Sequence, residues 1–460
     1  MQRRQWLAVA FVLIAVGSTA TYSPAAEKPA WKAGTAQKRI TTKLPIWLAG
    51  YGHRDRPAEG ALHDLWIKVL ALESEGGDRA VLVTGDLLGF PRGMSQAICA
   101  DLKKRHGLDR SQIMLTCSHT HTGPVLRDAL YDIYPLDDRQ RTLIDMYSEA
   151  LEKTVIAAVT EALVYLKPAT LSAAEGRTDF AVNRRNNREA DVPTLREQGK
   201  ELKGPVDHDV PVLAVRSPKG ALRAVIFGYA CHATTLSSYK FSGDYPGFAQ
   251  IELQRRHPDV MAMFYAGCGA DQNPIPRRSV EFCRAYGERL ASAVDEVLDK
   301  PMRPVESGLR TAFETIELDF QGPPTRDELD AAAAGSGYRA RWAKRLLRQL
   351  DDGQPFAKSY PYPVQVWPLG GKQLWISLGG EVVVDYSLRF KTTYGPTTWV
   401  AGYANDVMAY IPSRRVWEEG GYEAGAFEVY GLPTLRWAPG VEKHVVDSVQ
   451  RLVKESGGRR

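Results

Sequence analysis

The sequence predicts an α/β fold, a mixed sheet flanked by helices, and three observations carry that expectation. Compact apolar runs of strand length alternate with amphipathic stretches of helical period. Polar motifs follow the carboxyl ends of several of those runs, which is where open α/β folds build their sites. The chain has 460 residues, 44% hydrophobic and 25% charged, a composition able to bury a substantial core.

Element by element, Glu27 to Arg39 is expected as a polar lead-in. Leu65 to Glu73 and Asp78 to Leu88 are expected strands, the second carrying Ala80-Val81-Leu82-Val83 before Gly85-Asp86. Pro91 to His106 has helical periodicity, and Ile113 to Cys117 is the next buried strand. Ser118-His119-Thr120-His121-Thr122-Gly123-Pro124 stands at its carboxyl end, where Gly-Pro halts regular structure. Tyr147 to Leu166 is a long amphipathic helix. Val212 to Val215 and Ala221 to Tyr229 form a hairpin around Pro218-Lys219-Gly220. The pattern then repeats. Ala224 to Ala230 ends in Cys231-His232-Ala233-Thr234, and Val260 to Tyr265 ends in Gly267-Cys268-Gly269-Ala270-Asp271-Gln272-Asn273-Pro274, before a helix over Val280 to Leu298. Asp327 to Asp352 is a charged helical pair broken at Gly335-Ser336-Gly337. Gln373 to Leu378 and Thr397 to Ala401 are strands bracketing a helix that starts near Glu381, and Val441 to Glu455 is a final helix.

A formal charge of +5 with interspersed signs, and no basic stripe with interleaved aromatics, argues against a nucleic-acid partner. Arg3 and Arg4, the apolar run Trp6 to Val16, and small residues at Ser18-Thr19-Ala20 or Ser23-Pro24-Ala25 make residues 1–25 a secretory signal peptide. The Arg-Arg-Gln-Trp-Leu order bears a faint likeness to a twin-arginine signal. The expected location is therefore exported, periplasmic or secreted. The five cysteines have no C-x-x-C spacing, so neither a zinc ribbon nor a disulfide scaffold is supported; small buried thiols are the favoured reading.

His119 and His121 are two apart, so an extended backbone would send both side chains to one side. Such a pair can chelate one metal, or supply one ligand and one acid/base. His232, after another apolar strand, adds a third imidazole, and a catalytic zinc takes three or four protein ligands. Glu381 stands out because Gly379-Gly380 precede it and Val382-Val383-Val384 follow; a first-turn glutamate favoured by the helix dipole is the competing reading.

The strings Ser118 to Pro124, His232-Ala233-Thr234, Gly380-Glu381 and Tyr403 to Ile411 occur in an order that resembles the neutral ceramidases. Asn183-Arg184, Asp244-Tyr245-Pro246-Gly247 and Tyr422-Glu423 extend the resemblance across about Gly50 to Gly431. That family cleaves the amide of ceramide with one zinc. The resemblance implies His119, His232, Glu381 and Tyr410 as metal ligands, with His121 beside the metal and Arg184 and Tyr422 facing substrate. It also implies one large catalytic domain over residues 40–440, followed by a helix and polar tail over 441–460, without the family's immunoglobulin-like C-terminal domain. Where the family has a catalytic serine this chain has Gln272, which leaves metal-activated water as the nucleophile.

The implied substrate is a small N-acyl amine or lipid-like molecule, with peripheral membrane contact and oligomeric state left open. Two alternatives accompany this reading: a zinc hydrolase of another amide or ester, and a secreted binding protein with a degenerate metal pocket. An amidohydrolase barrel also opens on His-x-His, but His208 and His257 are not placed as its further ligands.

Overall fold

The computed structural model describes residues 31–457, so the signal peptide expected over residues 1–25 lies outside the described residues. Nine strands form the first sheet. Across it run Met261–Ala266, Leu222–Tyr229, Asp209–Arg216, Lys167–Arg177, Trp31–Arg39, Trp66–Ser74, Arg79–Gly85 and Ile113–Cys117, with Arg303–Val305 beside Lys167–Arg177. Parallel pairing occurs at both ends, Met261–Ala266 with Leu222–Tyr229 and Ile113–Cys117 with Arg79–Gly85. The two terminal strands come close to one another. The loops leaving this closed side carry His119 and His232.

A second sheet of four strands, Ala312–Asp319, Ser359–Leu369, Gln373–Leu378 and Trp399–Ala401, packs on the first. Side-chain alternation builds the layers. Ile67, Val69 and Ala71 join the helices Arg92–His106, Asp138–Val164, Asp244–Arg256 and Val280–Leu298 in one core. Leu70, Leu72 and Met114 face the other way, onto Trp367, Trp375 and Trp399 of the second sheet. The far face of the second sheet holds Val364, Val366 and Ile376 against the helix Val441–Glu455, through Val445, Val449 and Leu452. Helices, sheet, sheet and helix therefore stack in four layers, the α/β architecture expected, with the sheet doubled. Among the described residues no helix is long and apolar enough to cross a membrane.

Most expected elements stand within three residues of their predicted bounds, Ile113–Cys117, Val280–Leu298, Gln373–Leu378 and Val441–Glu455 coincide with them, and the strands Lys167–Arg177, Ala312–Asp319 and Ser359–Leu369 come in addition. Three of the expected elements differ. Trp31–Arg39 is a strand in the middle of the first sheet, paired along its length with Trp66–Ser74, where a polar lead-in was expected. Its few apolar residues, Trp31, Ala33 and Ala36, point into the layers and its lysines reach the edges; backbone pairing, not hydrophobicity, holds it. The helix expected from Tyr147 begins at Asp138, capped by the Asp137 carboxylate accepting from the Gln140 N–H. The helix expected near Glu381 begins at Val384, so Glu381 is no first-turn residue. It sits in the two-residue strand Glu381–Val382, beside Tyr410–Ile411. All five cysteines are free and buried, as the composition suggested.

Candidate metal centre and active site

The imidazoles of His119, His121 and His232 converge, with a potential ligand atom of each within 4.8 Å of the others. The chain turns sharply to do this. His119 follows strand Ile113–Cys117 with φ 56°, so the pair is not on extended backbone as expected; the turn, not strand alternation, brings the rings together. Left-handed backbone at a non-glycine residue costs on the order of 1–3 kcal/mol and concentrates at functional sites. Tyr403, also left-handed at φ 53°, lays its ring on His119 at 4.1 Å.

Hydrogen bonds fix which nitrogens are available. His119 Nδ1–H donates to the Leu88 carbonyl at 2.7 Å, and His232 Nδ1–H donates to the Gly269 carbonyl at 2.7 Å. Each Nε2 is thereby left as a bare lone pair, the second-sphere arrangement usual for ligating histidines. Yet His232 Nε2 stands 2.9 Å from Glu381 Oε2, His119 Nε2 stands 3.3 Å from the same oxygen, and His121 Nε2 is 3.2 Å from His119 Nε2. The two contacts at Glu381 set lone pair against lone pair. A shared cation relieves that repulsion, and two nitrogens with a carboxylate oxygen are the donor set of a zinc site. The residues present fit the metal.

Charge follows the same logic. Burial, then the Arg184 guanidinium, pushes the His232 imidazole down to about 4, so it is neutral at pH 7. Burial and the two neighbouring imidazoles lower His121 well below its ordinary value. Burial opposes ionisation of Glu381, but His119 and His232 hold its carboxyl well below the usual range. The centre therefore offers neutral imidazoles at His121 and His232 and one anionic oxygen.

The glycines noted before Glu381 have a geometric cause. A Cβ on Gly380, at φ 71°, would lie 2.7 Å from the Ala409 carbonyl, because the segment bearing Tyr410 pairs against Glu381 here. Gly50 does the same for His121: at φ 99°, a Cβ would come within 2.4 Å of the ring.

Arg184 and Tyr410 share the neighbouring wall. Arg184 Nη2 donates to the Tyr410 hydroxyl at 3.2 Å, Nη1 to Asn273 Oδ1 at 3.4 Å, and Nε to Glu423 at 2.8 Å. Glu423 also pairs with Arg185 at 2.6 Å. Burial, then Glu381, raises the Tyr410 phenol well above its ordinary value. Tyr422, 52% exposed, packs its ring 5.2 Å from that of Tyr410 at the mouth. Gln272 contributes through its backbone, where its carbonyl accepts from the His232 N–H at 3.0 Å; its side chain turns to the Pro205 carbonyl.

All seven residues singled out in the sequence thus gather in one region. His119, His121, His232 and Glu381 form the centre, and Arg184, Tyr410 and Tyr422 line the side. One contact had no sequence signal: the Tyr430 hydroxyl donates to Glu381 Oε1. Tyr430 follows a short 3-10 turn, Phe427–Val429, in a segment without periodicity. The helix Gly337–Asp351 holds that segment, with Trp342 Nε1 donating to the Leu432 carbonyl at 2.9 Å and Arg345 bonding the Gly431 carbonyl at 2.6 Å. Away from the centre, His106 meets Thr160, His208 the Ala181 carbonyl, and His257 pairs with Asp295 at 2.7 Å.

Residues 31–270, more than half of the chain, match the family model for neutral/alkaline non-lysosomal ceramidase, N-terminal. A neutral ceramidase of Pseudomonas aeruginosa is 23% identical over 463 aligned residues, covering 84% of this chain and 67% of that protein. The crystal structure of neutral ceramidase from Pseudomonas aeruginosa superposes with a TM-score of 0.73 at 17% identity, over 94% of this chain and 76% of that one. A ceramidase complexed with C2 gives a TM-score of 0.70 at 16% identity, over 92% and 76%. Both superpositions show the shared fold.

Proposed function

The chain belongs to the neutral/alkaline non-lysosomal ceramidase family, and from that premise we propose that it is an exported, zinc-dependent hydrolase of an N-acyl amide bond. The observation that carries the reading is the convergence of bare His119 and His232 nitrogens on Glu381 Oε2. When bound, a divalent ion polarises the scissile carbonyl and lowers the pKa of a water to about 7.

The chain's own residues supply the rest. Arg184 and Tyr422 stand where they can donate to a carbonyl oxygen as it gains charge, a contribution of roughly 3 kcal/mol per donor in measured cases. His121 is the proton carrier: its Nδ1 is buried without a partner, and its neutral ring can accept the proton of the attacking water and return it to the leaving amine nitrogen. Tyr410 holds Arg184 in place, and Tyr403 holds the ring plane of His119. Gln272 supplies no nucleophile, since a glutamine amide is none, and its side chain is turned to the Pro205 carbonyl.

Metal analysis combined with an N-acyl amine panel, ceramide included, tests the proposal. The expected outcome is one ion per chain and amide cleavage, both abolished in His232→Ala. Full zinc content and full turnover in that variant would overturn the ligand assignment. A metal-free chain inert on the whole panel, with and without added zinc, would support the binding-protein alternative.

A further inference from the structure

The two sides of the centre differ in character. Beside Leu88 and Tyr430, which hold His119 and Glu381, is a cavity of about 230 Å³ whose wall is mostly apolar, with Val125, Leu126 and Met408, and carries Arg92, Asp128 and Asp406 as its charged groups. The His121 side is basic. The Tyr51 ring packs 4.8 Å from the His121 ring, and two guanidiniums lie over it, Arg54 at 5.0 Å and Arg278 at 5.3 Å.

Neither cation has a carboxylate partner among the described residues. Arg54 is only 2% exposed and donates to two carbonyls, Ala49 at 2.5 Å and Ser238 at 3.2 Å, while its Nε is buried with no partner at all. A buried guanidinium without a counter-ion is costly, and proteins seldom leave one uncompensated. Arg278 is exposed, and its backbone is left-handed at φ 86°, pinned by its N–H to the Thr235 carbonyl at 2.7 Å. The glutamates nearby are already used: Glu189 pairs with Arg277, and Glu423 with Arg184 and Arg185. With a divalent ion added, the field on this side is strongly positive.

We propose, resting on the amidase reading above, that this chain takes an N-acyl amine whose amine half carries an anionic group, a carboxylate or phosphate, received by the exposed Arg278 beside Tyr51, with buried Arg54 adding its charge from the other contact on that ring. The hydroxyls of a sphingoid half can accept hydrogen bonds but bring no counter-charge to two guanidiniums that lack one. An apolar acyl chain suits the cavity beside Tyr430, which turns the amine half towards Tyr51. Planar forked guanidiniums match both anions, so the shared chemistry is that of an oxyanion.

Binding and turnover are measured separately, with the zinc-loaded chain. The ligands are N-octanoylglycine, its neutral N-octanoylglycinamide, and N-octanoyl phosphoethanolamine. Calorimetry is expected to give at least tenfold tighter binding for one of the anionic ligands than for the neutral amide. Arg278→Gln, an exposed change that leaves the metal ligands alone, is expected to erase most of that difference. It leaves binding of the neutral ligand within about twofold. The relative rank of the two anionic arms identifies carboxylate or phosphate. Equal binding of all three, or a preference untouched by Arg278→Gln, overturns the inference even if the neutral amide is cleaved. Tight anionic binding with no cleavage of any amide would sustain the subsite and overturn the hydrolase reading.

Discussion

Tyr430→Phe removes one oxygen and keeps the ring, so it isolates the bond to Glu381. Glu381 is 3% exposed, and its Oε2 already faces His119 and His232; Tyr430 is the donor on Oε1. A hydrogen bond to a charged acceptor is worth about 1.5–3 kcal/mol, which corresponds to roughly 10- to 150-fold in an equilibrium or rate. Loss of a second-sphere partner typically weakens metal binding about 10- to 100-fold. The expected result is a zinc dissociation constant raised by one to two decades, with turnover lost at limiting zinc and largely recovered at excess. Competition against a chromophoric chelator measures the first quantity, and rate against free zinc measures the second. Tyr410→Phe is the control, since the resemblance names Tyr410 as a ligand while its hydroxyl here accepts from Arg184. If Tyr430→Phe binds zinc as tightly as the parent and Tyr410→Phe does not, the reading of Tyr430 as the residue that orients Glu381 is refuted.

Gly50→Ala is expected to displace the His121 ring, because the new methyl would lie 2.4 Å from it; the left-handed backbone adds about 1–3 kcal/mol of strain, and kcat is expected to fall more than tenfold while zinc content stays near one. Gln272→Ser leaves the backbone bond to His232 in place, so hydrolysis within about threefold of the parent is expected; a loss of a hundredfold would return a catalytic role to this position. Burial pushes the Asp406 carboxyl up from its ordinary 3.8 to about 7, against the hydrogen bond from Tyr360. Folding therefore favours the protonated form: the contribution is fully present below about pH 4 and is lost as pH rises through about 7, at most about 4 kcal/mol by linkage. Asp406→Asn is expected to raise the melting temperature at pH 8 and to leave it nearly unchanged at pH 4, read by calorimetry at both values.

Fold legibility in the sequence followed burial. Strands sealed on both faces, such as Ile113–Cys117 and Gln373–Leu378, announce themselves by continuous apolar runs, and Val280–Leu298 by its period. Trp31–Arg39 was invisible because its pairing is satisfied by backbone while Lys32, Gln37 and Lys38 spread over its edges. Of the second sheet's four strands only Gln373–Leu378 and Trp399–Ala401 were legible, and nothing marked them as part of a layer. Nothing in Trp367, Trp375 or Trp399 says that their rings meet Leu70 and Met114 across an interface.

The centre was legible for a different reason. Imidazole and carboxylate are common metal donors, and glycine is needed where backbones crowd, so His119, His232 and Gly380-Glu381 carry a signal in their immediate neighbours. Tyr430 carries none of it. It lies in an aperiodic segment pinned by Trp342 and Arg345 of a helix that looked, in sequence, like a solvated surface pair. The orienting bond on Glu381 therefore depends on a helical hairpin remote from the ligands in the chain. Under the proposed metal site, changes in the Arg326–Ala333 and Gly337–Asp351 pair are expected to weaken metal binding without touching a proposed ligand, by loosening the segment that presents the Tyr430 hydroxyl, and the same chelator competition reads it.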